Sequence, residues 1–342
     1  MTSLDKPKEF KALDKSNMAK FIAELPQQIE DSLKKVNKVD LPKKEIANVC
    51  LCGMGGSAVA NSLVANLPSS KRKVHMKVIR GYDIPAWVNE NSLIILTSHS
   101  GTTQETLSAF KAAVKTKAQI FIVAERGQLQ NLGKKAGAIV FDYDTSAVSR
   151  ASLGYQLGAV FGFLNRLKIV DAQIEPAIKL LKKINSDFEI RVKTEDNLAK
   201  QLAYVCLDRL PVVVGSGILT SVAWRWKTQM NENANALAFT EFLPEAMHNA
   251  IQGQDFPLHS QEDLIYILLK NSFDNKELTL QFKKFKNVLA SKQIRYEIVE
   301  PLGDDVFSQK LSALLLGDWV SYYLALLNEV DPTPVETIES NK

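Results

Sequence analysis

Short apolar runs, each ending in a turn and followed by a helical stretch, recur along this chain and narrow what it can fold into. Ile46–Cys52, Val74–Arg80, Ser92–Ser98, Gln119–Glu125 and Ala138–Phe141 form a first series; Pro211–Gly217, Asp263–Lys270 and Ile294–Glu300 form a second. Most are near-continuous in Val, Ile and Leu rather than alternating, as strands covered on both faces require. Helical spacing marks Met18–Val39, residues 58–67, Gln104–Ala113, Leu278–Ala290 and Phe307–Leu327. This alternation specifies an α/β fold of parallel sheets flanked by helices on both faces. At roughly 150 residues per domain, 342 residues accommodate two such domains. We divide the chain into an N-terminal helical segment (1–44), a first α/β domain (45–150), a helical connection (151–200) and a second α/β domain with C-terminal helices (201–342).

Composition removes several functions. The 42 basic and 38 acidic groups leave +4, too little over this length to argue for nucleic acid. Apolar stretches such as Ala313–Leu316 are interrupted by charge well before the ~18 residues that a bilayer span needs. The opening MTSLDKPKEFKALDKS is dense in charge and has no apolar signal region. With only three cysteines, the expectation is a reducing, cytoplasmic setting and no membrane contact. Cys50 and Cys52 alternate on a strand and point to one face; with no second pair to complete a zinc site, they read as core thiols.

Glycine is sparse, 16 of 342, against an average near 7%, yet three fall within Gly53–Gly56. Such a cluster between a strand and a helix lets the chain turn sharply and leaves N–H groups pointing outward. The helix start adds partial positive charge, so the place suits an anion. The dinucleotide pattern G-x-G-x-x-G is not completed, because Ala58 stands at its last position. A second loop, Ser98-His99-Ser100-Gly101-Thr102-Thr103, also follows a strand and opens a helix. It offers four hydroxyls and no lysine, unlike the P-loop of nucleotide-triphosphate enzymes. Hydroxyls with backbone N–H groups suit a phosphate monoester held without a metal.

An S-x-S-G-x-T loop paired with a G-x-G-G-S loop resembles the sugar isomerase (SIS) domain, a phosphosugar-binding α/β fold. The second half adds Asn231-Glu232-Asn233, then Glu245-x-x-His248-Asn249, then the string Leu316–Ala325 ahead of Asp331-Pro332-Thr333-Pro334-Val335-Glu336. Together, from about residue 45 onward, these resemble the bifunctional phosphoglucose/phosphomannose isomerases of archaea and bacteria. The resemblance implies two SIS-type domains and interconversion of glucose 6-phosphate with fructose 6-phosphate. It also implies mannose 6-phosphate as a substrate, no cofactor or metal, and a homodimer with a shared active site. Phosphate anchoring would fall to Gly55, Gly56, Ser57, Ser98, Ser100 and Thr103.

The same resemblance makes Glu232, in the polar patch Gln229–Asn233, the base that moves a proton between C1 and C2; Glu241 and Glu245 are its rivals. His248 would assist ring opening, in relatives from the partner subunit. Arg150 would steady the enediolate; the family has proline before it, and this chain has Ser149. Lys342 matches a C-terminal lysine that reaches the site in the family, through V-E-x-I-x-x-x-K, and Thr333 is a further sugar-side contact. Glu245 and His248, at i, i+3, could form half a metal site, but no second such pair occurs. His75 and His259 read as structural.

Two other functions compete. SIS domains also serve phosphosugar-sensing regulators, attached to a helix-turn-helix; the N-terminal ~45 residues are short for one and lack a basic recognition helix. The synthase that makes glucosamine 6-phosphate needs an N-terminal cysteine in a separate domain, and residue 2 here is Thr2.

Overall fold

All strand pairs in both sheets are parallel. The computed structural model describes residues 3–258 and 260–341. Helices α1 (Pro7–Leu13), α2 (Met18–Ala23) and α3 (Leu25–Val36) precede β1 (Asn48–Cys52), α4 (Gly55–Ala65), β2 (His75–Ile79), β3 (Ser92–Thr97), α5 (Gln104–Lys115), β4 (Gln119–Ala124), α6 (Gln128–Lys135), β5 (Ile139–Asp142) and α7 (Leu153–Arg166). There follow α8 (Glu175–Ile184), α9 (Leu198–Cys206), β6 (Leu210–Ser216), α10 (Thr220–Ala234), β7 (Phe239–Leu243), α11 (Ser260–Asp263), β8 (Leu264–Leu269), α12 (Lys276–Ser291), β9 (Arg295–Val299), α13 (Val306–Leu327) and α14 (Glu336–Glu339). The chain forms two units, Glu24–Gln173 and a second made of Met1–Ala23 with Ile174–Lys342. Two parallel sheets flanked by helices are therefore present, as the alternation of apolar runs requires.

In the unit Glu24–Gln173 the strand order is β2-β1-β3-β4-β5. Cys50, Cys52, Ile94, Leu96 and Ile122 pack on one face with Leu107, Phe110 and Leu129 of the helices. Cys50 and Cys52 are core thiols, their sulfurs 3.6 Å apart. On α7, Gly154, Gly158 and Gly162 form a stripe at four-residue spacing. A Cβ at each would lie 2.6–2.8 Å from Gln28, Ile29, Ser32 or Val36 of α3. Small residues there let α3 lie against α7. Gln28 then fixes the contact: its amide donates to Ala151 O (2.9 Å) and its oxygen accepts from Gly154 N (3.1 Å). This pins the chain on either side of the start of α7, one residue past Arg150.

The other unit has order β7-β6-β8-β9. Phe282, Phe285 and Leu289 of α12 cover one face with Val212, Val214, Tyr266 and Leu268. Helix α13 is buried at every residue after Val306. Among the described residues no helix is long and apolar enough to cross a membrane.

Three local readings change. The helical stretch at Met18–Val39 is two helices, because Pro26 occupies the first turn of α3, where its missing N–H costs nothing. The helix expected from residue 58 starts at Gly55, so the glycines form its first turn. The helix expected from Ala151 is preceded by a 3₁₀ turn, Ser149–Ser152, which contains Arg150.

Candidate active site

In open parallel sheets a ligand binds beyond the carboxyl ends of the strands, where the chain's connections diverge to either side. In the five-stranded sheet that point lies between β1 and β3, since β1 leads outward to β2 and β3 lies on its other flank. The Gly53–Ser57 loop follows β1 and the Ser98–Thr103 loop follows β3, so parallel pairing brings both to this one crevice. Ser98, Ser100 and Thr103 thereby join Gly55, Gly56 and Ser57 at the start of α4.

The two loops are held rather than slack. Ser98 is buried; its hydroxyl accepts from Gly101 N (3.1 Å) and pairs with the Thr103 hydroxyl (2.9 Å). Ser100 is exposed, and its oxygen accepts from Thr102 N and Oγ1 at 3.3 and 3.0 Å. Gly101 has φ +64°, and a Cβ there would sit 1.8 Å from Arg126 O. Only glycine allows that approach, and it presses the turn after β4 onto the loop. Gly55 also has positive φ, +49°, with open space where a side chain would be. A Cβ on Gly56 would lie 3.2 Å from Arg150 Cα. The glycine loop and the buried Arg150 thus meet at backbone level.

His99, inside the second loop, is a neutral fixture. Gln156 donates to the Tyr143 hydroxyl (3.0 Å), and that hydroxyl is hydrogen-bonded to His99 Nδ1 at 3.1 Å. Burial and then the nearby Arg126 charge lower the His99 pKa to about 4. Sequence reasoning did not single out Tyr143, Gln156 or Arg126, because each lies on a different element from the loop it supports.

The four-stranded sheet has its own divergence point, between β6 and β8, and the chain's own carboxylate sits there. Asp274 accepts from the Ser216 hydroxyl and from Asn271 Nδ2 (2.6 Å). Burial raises its pKa, and the bonds from Ser216 and Asn271 act against that rise. Gly217 bends with φ +45° and faces both Asn271 and Asp274. A carboxylate there disfavours an anionic ligand at this second divergence point.

Glu232 is half-buried near the end of α10, between the buried Met230 and Asn233. His248 is exposed and closes the 3₁₀ turn Glu245–Met247 after β7, its N–H donating to Glu245 O (2.9 Å). These two are not brought together within one chain. A parallel β6–α10–β7 crossover makes α10 run back from the carboxyl to the amino edge of the sheet. Glu232 therefore lies toward the amino edge, and His248 beyond the carboxyl end of β7, where Leu243 pairs with Ser216. A five-residue strand spans about 17 Å.

Of the rival bases, Glu245 is exposed and accepts from Asn249 Nδ2 (3.0 Å). Glu241 lies on β7, where burial raises its pKa. With Lys227, Gln254 and Tyr266 it lines a cavity of about 440 Å³ at the sheet edge. Among the described residues no three His, Cys, Asp or Glu side chains are grouped to hold a metal ion. Thr333 lies in the turn after α13, its N–H bound to Asp331 (3.0 Å). Lys342 and His259 fall outside the described residues.

The fold and the paired loops define an SIS-type protein. Solved structures agree on the fold. A glucose-6-phosphate isomerase like protein from Thermus thermophilus superposes with a TM-score of 0.64 at 20% identity, covering 100% of this chain and 99% of its own. The C-terminal domain of glucosamine-fructose-6-phosphate aminotransferase from Francisella tularensis gives 0.70 at 16% identity, covering 93% and 98%. Residues 195–342 match the family described as bacterial phospho-glucose isomerase C-terminal SIS domain. A bifunctional phosphoglucose/phosphomannose isomerase from Caldicellulosiruptor bescii is 32% identical over 328 residues, 94% of this chain and 97% of the relative. The chain belongs to the bifunctional phosphoglucose/phosphomannose isomerase family. The protein of the same name from Aquifex aeolicus is 29% identical over 86% of this chain and 89% of its own length.

Proposed function

We propose that this protein interconverts glucose 6-phosphate with fructose 6-phosphate, and mannose 6-phosphate with fructose 6-phosphate, by proton transfer through a shared enediol. The observation that carries the reading is the pair of glycine- and hydroxyl-rich loops at the divergence point of the first sheet. It is supported by a chain-length relative named for both isomerisations. The backbone N–H groups of Gly55, Gly56 and Ser57, with the hydroxyls of Ser98, Ser100 and Thr103, hold the 6-phosphate. Glu232 takes the C2 proton of the open-chain aldose. The pair of electrons left behind makes the C1–C2 double bond while O1 gains a proton. Glu232 then returns its proton to C1 while the O2 hydroxyl releases its own to solvent, matching the one O1 took up, and C2–O2 becomes the ketone. Arg150 offsets charge on the enediol oxygens, where a fixed cation acts most strongly in a dry site.

The chemistry is redox-neutral overall, and the proposed route uses no cofactor and no metal. Rotation of the enediol would present either face of C2 to the one base and so give both aldoses. His248 passes a proton to and from the ring oxygen, a task suited to a group that titrates near neutrality. Its place at the opposite sheet edge from Glu232 supports the reading that it serves the site of a second copy in a homodimer. We place the protein in the cytoplasm, where its three free, buried thiols and phosphorylated substrates fit.

The test is to add fructose 6-phosphate to the purified protein and quantify both aldose products. Glucose 6-phosphate and mannose 6-phosphate should both form. Saturable binding with formation of neither would instead indicate a phosphosugar sensor.

A further inference from the structure

Helix α10 meets α13 along a seam that is polar where a core seam is ordinarily apolar. Arg225 makes a two-pronged pair with Asp318, Nε to Oδ1 and Nη2 to Oδ2, both 2.9 Å. Both side chains are buried, 1% and 4% exposed. Gln229, one turn on, also hydrogen-bonds Asp318. Asn233 Nδ2 donates to Ser321 Oγ (2.9 Å), and Ser321 in turn donates to Asp318 O (2.7 Å). Asn328 Nδ2 closes the far end on Ala234 O at 3.0 Å. At the near end Trp226 Nε1 donates to Ala313 O (2.8 Å). It lies so close to α13 that a Cβ on Gly317 would fall 2.2 Å from that nitrogen.

Burying a charged pair is a weak way to gain stability, since desolvation offsets most of the attraction. What such a pair does supply is direction. Apolar ridges tolerate sliding, whereas a bidentate pair and a chain of single hydrogen bonds are satisfied at one register only. Within an α-helix a slip of one residue moves a side chain 1.5 Å along the axis and 100° around it. Glu232 lies between the Gln229 and Asn233 anchors and next to the Ala234–Asn328 contact.

We propose that Asp318, Ser321 and Asn328 are positioning residues, which fix the register of α10 on α13 and thereby the aim of the Glu232 carboxylate. The inference rests on Glu232 being the base. The geometry assigns these residues no contact with substrate; they act through the helix.

The test uses two mild variants, Ser321→Ala and Asn328→Ala, which leave the buried Arg225–Asp318 pair intact. Each should lower kcat on the order of 10- to 10²-fold, the size of effect that misplacing a catalytic group by about an ångström produces. KM for fructose 6-phosphate should stay within about twofold, at a temperature where both variants remain folded by circular dichroism. In a Glu232→Gln background the same substitutions should cause no further loss, because residues acting as one unit are not additive. Wild-type kcat in both variants would overturn the proposal, even if their melting temperatures fell. So would losses that simply multiply with that of Glu232→Gln. If instead Glu232→Gln itself keeps wild-type kcat, the assignment of the base fails, and the positioning role falls with it for that separate reason.

Discussion

His99 shows how a single residue inside the phosphate loop is tuned. Its ordinary value of 6.5 is lowered to about 4 by burial and by Arg126, and Nδ1 is hydrogen-bonded to the Tyr143 hydroxyl. The unfolded chain therefore binds one more proton than the folded chain between about pH 6.5 and 4. Stability rises with pH wherever the unfolded state holds more protons. The contribution of neutral His99 is thus fully present above about 6.5 and is lost as pH falls toward 4. NMR of the imidazole protons should show one histidine with a midpoint near 4, absent from a His99→Asn variant. A His99 midpoint near 6.5 would contradict the described environment.

At the scale of the element, the Ser98–Thr103 loop carries the clearest prediction. Each hydroxyl taken from a charged phosphate should cost about 1.5–3 kcal/mol, and about 1.4 kcal/mol is tenfold in binding. Ser100→Ala with Thr103→Ala should then raise KM for 6-phosphosugars on the order of 10²–10⁴-fold while kcat changes far less. An unchanged KM in steady-state kinetics would move the phosphate elsewhere.

This loop was legible from sequence because strand, loop and helix start are contiguous, and its four hydroxyls fall within six positions. The strands of the first sheet were legible for a related reason: burial on both faces makes β1, β3 and β4 almost wholly apolar. What distant packing decides was not legible. Strand β7, Phe-Thr-Glu-Phe-Leu, is a five-residue edge strand with a glutamate at its centre, and it reads as loop. Only Asn235, in the left-handed conformation at φ 51°, ends α10 in time for it. The stripe Gly154, Gly158, Gly162 is plain in the sequence, but its meaning depends on α3 lying over it. The carboxylate of Asp274 in the second sheet's crevice is likewise a tertiary fact. Ser216 ends β6, whereas Asn271 and Asp274 lie in the loop after β8, 55 and 58 residues further along the chain.

Over the whole molecule, two sheets of the same parallel design carry different side chains at their divergence points. The first has the glycine-rich and hydroxyl-rich loops there. The second has Asp274 there, with Glu232 on α10 toward its amino edge and His248 beyond the carboxyl end of β7. In the proposed reaction one carboxylate serves both epimers. It is tested by kcat of Glu232→Gln for glucose 6-phosphate and for mannose 6-phosphate, with phosphosugar binding followed in parallel. The amide keeps the shape of the carboxylate but cannot take the proton, and a lost general base typically costs on the order of 10²–10⁴ in rate. Both activities should fall together by that order while the dissociation constant for fructose 6-phosphate stays within a few-fold. Loss of the mannose activity alone, or wild-type kcat in Glu232→Gln while Glu241→Gln or Glu245→Gln is inactive, would contradict it.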